Sequence, residues 1–166
     1  MSFVFSQAPE FEAANEKYAA TFNKGHLARP PDRKVAVVTC MDARLDPAKV
    51  LGLKKGDAHV IRDAEGRDID ATRSFIISQQ LLGTREIVLV HHTDCGMLTF
   101  SDDSLRHKMR SELEQDADHI AFLSFRDLEA SVLDDIKIIE QQPLLLDVPI
   151  TGYIYHVETG KIPKVK

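Results

Sequence analysis

Two short runs dominate what this chain can fold into: Val35-Ala36-Val37-Val38-Thr39 and Glu86-Ile87-Val88-Leu89-Val90-His91. A strand with one face in water alternates apolar and polar residues, whereas a strand covered on both faces reads as a continuous apolar run. Both runs have strand length and are rich in β-branched residues, which fit a pleated surface. They predict strands buried on both sides, the condition of a parallel sheet.

The segments around them fit that frame. Residues 46–52 predict a short helix, opened by Asp46 as N-cap and Pro47 at the first helical position. Ala58–Arg62 predicts a further strand. Residues 70–82 predict a helix capped by Asp70, with Ile76, Ile77, Leu81 and Leu82 facing inward and Gly83 just past the end. Helical patterns recur around 103–116 and 125–141. Thr151–Val157 and Ile162–Val165 flank Glu158-Thr159-Gly160, which predicts a terminal hairpin. Upstream, residues 10–23 place Phe11, Ala14, Tyr18 and Phe22 on one helical stripe, and Arg29-Pro30-Pro31 stops that helix. The expected fold is α/β: a central, mostly parallel β-sheet flanked by helices, with an N-terminal helical arm within residues 1–30 and a C-terminal hairpin. No linker or repeat divides residues 1–166, so one domain is expected.

Charge narrows the partners. The formal net charge is -5 and basic and acidic residues are interspersed, which leaves no basic face for nucleic acid. No apolar stretch approaches the roughly 20 residues of a membrane span. The start of the chain lacks the basic n-region of a secretory signal, so a cytoplasmic location is expected. In that reducing compartment the two cysteines, Cys40 and Cys95, are expected as thiols, thiolates or metal ligands rather than as a disulfide.

The cysteines occupy matching places. Cys40 directly follows the first buried strand, and His92-Thr93-Asp94-Cys95 follows the other. Open α/β sheets bind ligands beyond the carboxyl ends of their strands, so these two segments are expected to converge. Two thiolates and an imidazole suit zinc, and three protein ligands leave the open fourth position of a catalytic site. His91 and His92 point to opposite sides of an extended strand, and the two-residue gap to Cys95 favours His92. Asp42 and Arg44, just after Cys40, can form a short ion pair beside the same spot. From these residues alone, a zinc site and a set of buried structural residues beside a surface salt bridge both stand. Asp94 is expected to cap the following turn or to brace Arg44. Met97, Leu98 and Phe100 are expected to be packing residues, and Asp102-Asp103 solvated.

Cys40-Met41-Asp42-Ala43-Arg44 and His92-Thr93-Asp94-Cys95-Gly96 resemble the two signatures of the β-class carbonic anhydrases, in order and at the right separation. Ile61-Arg62-Asp63-Ala64 resembles that family's intervening Arg-Asn-Ala-Gly segment, and Thr151–Val157 its last strands. The resemblance implies one Zn2+ per subunit, held by Cys40, His92 and Cys95, with water or hydroxide as the fourth ligand. It implies that Asp42 accepts a hydrogen bond from that hydroxide, or swings in to close the site, and that Arg44 keeps Asp42 ionised. It also implies a homodimer or larger homo-oligomer in which the N-terminal helix reaches over a neighbour.

The implied substrate is small and linear: carbon dioxide, hydrated to bicarbonate, or alternatively carbonyl sulfide or carbon disulfide, hydrolysed by the same hydroxide. The chain departs from the family pattern in lacking a glutamine over Leu27–Arg33, in Asp63 where asparagine is usual, in Ala43 for serine and in Glu65 before Gly66. Two further classes remain to be separated from these. A structural zinc module would need a fourth protein ligand, and a cysteine-nucleophile hydrolase would work without metal.

Overall fold

A computed structural model describes residues 6–64, 66 and 68–166. Glu65 and the first five residues of the expected arm lie outside the described residues. Four strands form one sheet: β1 (Val35–Cys40), β2 (Ala58–Asp63), β3 (Glu86–His92) and β4 (Ile150–Tyr155), in the order β2-β1-β3-β4. Every neighbouring pair is parallel. Among the described residues, five α-helices accompany them: α1 (Ala8–Ala20), α2 (Pro47–Val50), α3 (Asp68–Leu82), α4 (Asp102–Leu113) and α5 (Leu128–Gln141).

The two apolar runs are the inner strands β1 and β3, as their lack of alternation requires. Ala36 and Val38 of β1 join Ile87 and Leu89 of β3 beneath Ala71 and Phe75 of α3 and Val132, Ile136 and Ile139 of α5. The opposite face carries Val37 and Val90 with Leu45, and the flanking Leu51 and Leu53 pack against them. Gly152 makes the α5 contact possible: a Cβ there would lie 2.5 Å from Val132 Cγ1 and 2.8 Å from Ile136 Cδ1. A polar tie reinforces the layer. His91 is fully buried, with Nδ1 2.8 Å from Ser131 Oγ and Nε2 3.2 Å from Asp135 Oδ2, so β3 is fastened to α5.

Several expectations change in detail. The helix α3 starts at Asp68, before the expected cap Asp70, and its inward face is Ala71, Phe75, Ser78 and Gln79. Ile77 and Leu81 face outward, 46% and 76% exposed. Ser78 can be buried because its hydroxyl lies 2.6 Å from His59 Nδ1 and 2.5 Å from Thr84 Oγ1. Gln79 accepts a hydrogen bond from Leu146 N–H at 2.8 Å. Polar side chains that find at least one partner can replace apolar ones inside, and the hydrophobic period then gives the wrong phase.

The terminal hairpin has one regular arm. β4 pairs in parallel with β3, and the tail folds back on its other edge through Val165 N–H to Gly152 O (2.8 Å) and His156 N–H to Lys161 O (2.9 Å). Only Tyr153 and Lys164 form an antiparallel bridge. Pro163 within this arm has no N–H to give to a ladder. Asp102 is not simply solvated: its carboxylate accepts from the N–H groups of Phe122 (2.8 Å), Leu123 (3.3 Å) and Ser124 (3.1 Å). Burial opposes its ionised form, but these donors hold its pKa below the usual value.

None of α1's residues is buried. Its end touches the body where Lys55 donates to the Tyr18 hydroxyl and its Nζ sits 4.6 Å and 5.2 Å from the Tyr18 and Phe22 ring centroids. Phe11 is 69% exposed.

Candidate metal centre

The parallel register places the ends of β1 and β3 side by side, with Thr39 opposite Val90. Thr39 Oγ1 donates to Val90 O at 2.9 Å and pins the two strands where they run out. Cys40 is the last residue of β1 and His92 the last of β3. Asp94 then adopts φ +54°, a left-handed turn that brings Cys95 back towards them. Aspartate is one of the few side chains that enters this region readily. The ligand atoms of Cys40, His92 and Cys95 lie within 4.8 Å of one another, and all three residues are buried.

The histidine is arranged as a ligand would be. His92 Nδ1 lies 2.8 Å from Thr93 O, and a carbonyl can only accept, so Nδ1 carries the proton. Nε2 is then left with its lone pair, buried and without a hydrogen-bond partner of normal geometry. Burial disfavours the imidazolium, yet the Cys40 sulfur, the Thr93 carbonyl and the Asp42 carboxylate together hold the His92 pKa above its usual value. A tetrahedral zinc ion separates two sulfurs by about 3.8 Å when each Zn–S bond is about 2.3 Å. Two soft sulfurs and one imidazole nitrogen within the observed spacing therefore fit zinc, and the site can hold a metal ion.

Asp42 and Arg44 stand at the rim. Arg44 Nε donates to Asp42 Oδ1 at 3.0 Å and Nη2 to Oδ2 at 2.8 Å, while the Arg44 backbone N–H also reaches Oδ1 at 2.8 Å. The guanidinium holds the Asp42 carboxyl well below the usual carboxylate range, against the opposing effect of burial. Arg44 is pushed the other way, above its usual value, by Asp42 and then Asp94. Asp94 braces Arg44: Nη1 donates to its Oδ2 at 2.7 Å and Nη2 to its backbone carbonyl at 3.0 Å. One arginine thus ties the loop after β1 to the loop after β3. Asp42 Oδ2 lies 3.9 Å from His92 Nε2, so the carboxylate borders the three ligands.

A cavity of about 340 Å³ opens over Cys40, Asp42 and Cys95, walled by Met41, Ala64, Met97 and Phe100. Met97 and Phe100 therefore line space as well as pack. Two residues at this end are read in the sequence only as members of a motif, with no role. Arg62 donates from Nε to Cys40 O at 3.1 Å and from Nη2 to Asp42 O at 2.7 Å. Gly66, at φ +85°, lies so close beneath β1 that a Cβ would stand 2.9 Å from Thr39 Cα and C. The available signal was register: in a parallel pair, the segment just after β2 must abut the segment just after β1.

A family model described as carbonic anhydrase matches residues 35–162. Beta-carbonic anhydrase 1 of Mycobacterium tuberculosis is 43% identical over 159 residues, covering 94% of this chain and 96% of that protein. Carbon disulfide hydrolase of Saccharolobus solfataricus is 35% identical, covering 81% of this chain and 78% of that protein. The crystal structure of carbonic anhydrase from Streptococcus mutans superposes with a TM-score of 0.93 at 44% identity, covering 99% of this chain and all of that one. With its cysteine and histidine side chains gathered at the strand ends, the chain belongs to the β-class carbonic anhydrases, a family of zinc enzymes.

Proposed function

We propose that this protein hydrates carbon dioxide to bicarbonate at a zinc ion held by Cys40, His92 and Cys95. The observation that carries the reading is the convergence of those three side chains, beside an Asp42 paired to Arg44 through both carboxylate oxygens, under an apolar cavity. Zinc, when bound, would supply a nucleophile at neutral pH by lowering the pKa of water from 15.7 towards about 7. Asp42, acceptor-only when ionised, would take the nucleophile's proton in a hydrogen bond and so orient its lone pair. Arg44 keeps Asp42 ionised and fixes both carboxylate oxygens. Met41, Met97 and Phe100 exclude bulk water and give a linear, apolar molecule a surface to lie on.

A second reading fits the same cavity. The cavity wall offers a linear substrate thioether and aromatic surface, which is as compatible with sulfur as with oxygen termini. Hydrolysis of carbonyl sulfide or carbon disulfide to hydrogen sulfide and carbon dioxide would use the same residues. Carbon dioxide is the reading preferred, supported by the higher identity and fuller coverage of the carbonic anhydrase relative. The deciding experiment measures kcat/KM of the zinc-loaded protein for carbon dioxide, carbonyl sulfide and carbon disulfide side by side. A preference of tenfold or more for a sulfur substrate would replace the first reading with the second.

We further propose that the working form is a homodimer or larger homo-oligomer in the cytoplasm. An α1 helix with no buried residue and an exposed Phe11 support self-association. A groove of about 290 Å³ on the sheet face, where Val35, Leu53, Val88 and Tyr153 are flanked by Arg33 and Glu86, supports it as well. A reducing compartment keeps both ligand cysteines as thiols. Among the described residues no helix is long and apolar enough to cross a membrane.

A further inference from the structure

We propose that Arg62 is a positioning residue for this reaction, whose guanidinium replaces the strand partners that the loop after β1 has lost and thereby sets where Cys40 and Asp42 stand. The inference rests on the metal-site reading above. β1 and β2 pair in parallel up to Cys40 opposite Asp63, and Met41 N–H donates to Asp63 O at 2.7 Å. Beyond that contact the loop leaves the sheet, and its carbonyls still require donors. Arg62 faces Thr39 in the register, and its side chain reaches forward to serve two of them. Nε donates to Cys40 O at 3.1 Å and Nη2 to Asp42 O at 2.7 Å, beside the Leu45 N–H that also donates to Asp42 O at 3.1 Å.

The geometry gives this contact more influence than a surface hydrogen bond. Both bonds are charge-assisted, and they leave one rigid plane, so the two carbonyls are fixed relative to each other as well as to β2. One of the gripped residues carries a sulfur of the metal set, and the other carries the carboxylate beside it. Arg44 controls which way the Asp42 carboxylate faces; Arg62 controls where its backbone is. A lysine could satisfy either carbonyl but could not lock the pair, because its ammonium has no planar fork. Sub-ångström drift of the loop would displace the Cys40 thiolate and the Asp42 carboxylate together.

The test uses the full-length protein and its Arg62→Met and Arg62→Lys variants, each loaded with cobalt(II) for spectroscopy and with zinc for kinetics. Arg62→Met is expected to retain one metal per chain, to shift the thiolate-to-cobalt absorption band, and to lose about ten- to hundredfold in kcat with KM within about twofold. Arg62→Lys is expected to recover little of that loss, whereas added guanidinium at millimolar concentration should restore part of kcat to Arg62→Met. A folded Arg62→Met with the wild-type cobalt spectrum and wild-type kcat overturns the inference. A drop in thermal stability alone, with spectrum and kcat unchanged, overturns it equally, because that is the signature of a merely structural arginine. If Arg62→Met does not fold, Arg62→Lys decides, and native spectrum and rate in that variant refute the need for the fork. Wild-type protein that binds no cobalt would overturn the metal-site reading as well, an outcome distinct from all of these.

Discussion

Replacing Gly152 with alanine tests whether α5 is seated on the sheet as described. The added Cβ would stand 2.5 Å from Val132 Cγ1 and 2.8 Å from Ile136 Cδ1, where carbon atoms prefer separations of about 3.5–4.0 Å. Val132 and Ile136 are both buried, and the β-branched Val132 has little rotamer freedom with which to retreat. Overpacking of this kind costs about 1–3 kcal/mol. For a chain of this size that corresponds to a fall in Tm of roughly 2–12 °C. Val132→Ala alone should cost about 2–4 kcal/mol through lost burial and a residual cavity.

The two changes are complementary, since the methyl introduced at 152 would enter the space vacated at 132. The double variant should therefore be more stable than the sum of the single effects predicts, by about 1 kcal/mol or more. Urea unfolding of the wild type, both single variants and the double variant closes the cycle. Strict additivity, or a Gly152→Ala protein as stable as wild type, would show that α5 does not press on β4 at this point.

Cys40→Ser, His92→Ala and Cys95→Ser should each lose zinc and activity, and zinc removal by a chelator should abolish wild-type turnover until zinc is restored; full metal content by elemental analysis in any variant would remove that residue from the set. Asp42→Asn should keep its metal while kcat falls about a hundredfold, as for loss of one well-placed polar group; unchanged turnover would exclude the carboxylate. Arg44→Gln removes the largest influence lowering the Asp42 pKa, which should return towards the ordinary 3.8. A depressed folded-state pKa contributes stability above the unfolded value, lost as pH falls through the folded one. The stability gap between wild type and Arg44→Gln should thus stay constant from about pH 8 to 5 and narrow only below about pH 4. A gap that closed near pH 6 in urea titrations would assign it to another group. Phe11→Ser should lower the molar mass measured by light scattering at micromolar protein, and an unchanged mass would free α1 of any role in association.

What the sequence revealed, and what it concealed, follows from particular residues. β1 and β3 were legible because Val35–Val38 and Ile87–Val90 are uninterruptedly apolar, and the convergence of Cys40, His92 and Cys95 was legible because Cys40 and His92 end those strands and Cys95 stands in the turn after β3. The inward face of α3 was misread because Ser78 and Gln79 are buried with partners that lie elsewhere in the chain, His59, Thr84 and Leu146. Arg62 was legible as part of a motif but not as a clamp, since its acceptors are backbone atoms 20 and 22 residues away that no residue type announces. The seat of α1 was hidden for a different reason: its apolar stripe specifies that something should cover it without specifying what. Asp102 reads in the sequence as a solvated charge, and only the path of residues 122–124 reveals what it gathers.

The cavity is assembled from two mechanically different parts. Cys40 and His92 in its floor end interior strands that Thr39 ties to each other and the His91–Asp135 contact ties to α5, whereas Met97 and Phe100 hang from the short turn after Cys95. Mutational drift in that turn can reshape the entrance while the floor stays as it is. Changing Met97 or Phe100 would therefore alter what the entrance admits and leave Cys40 and His92 in place.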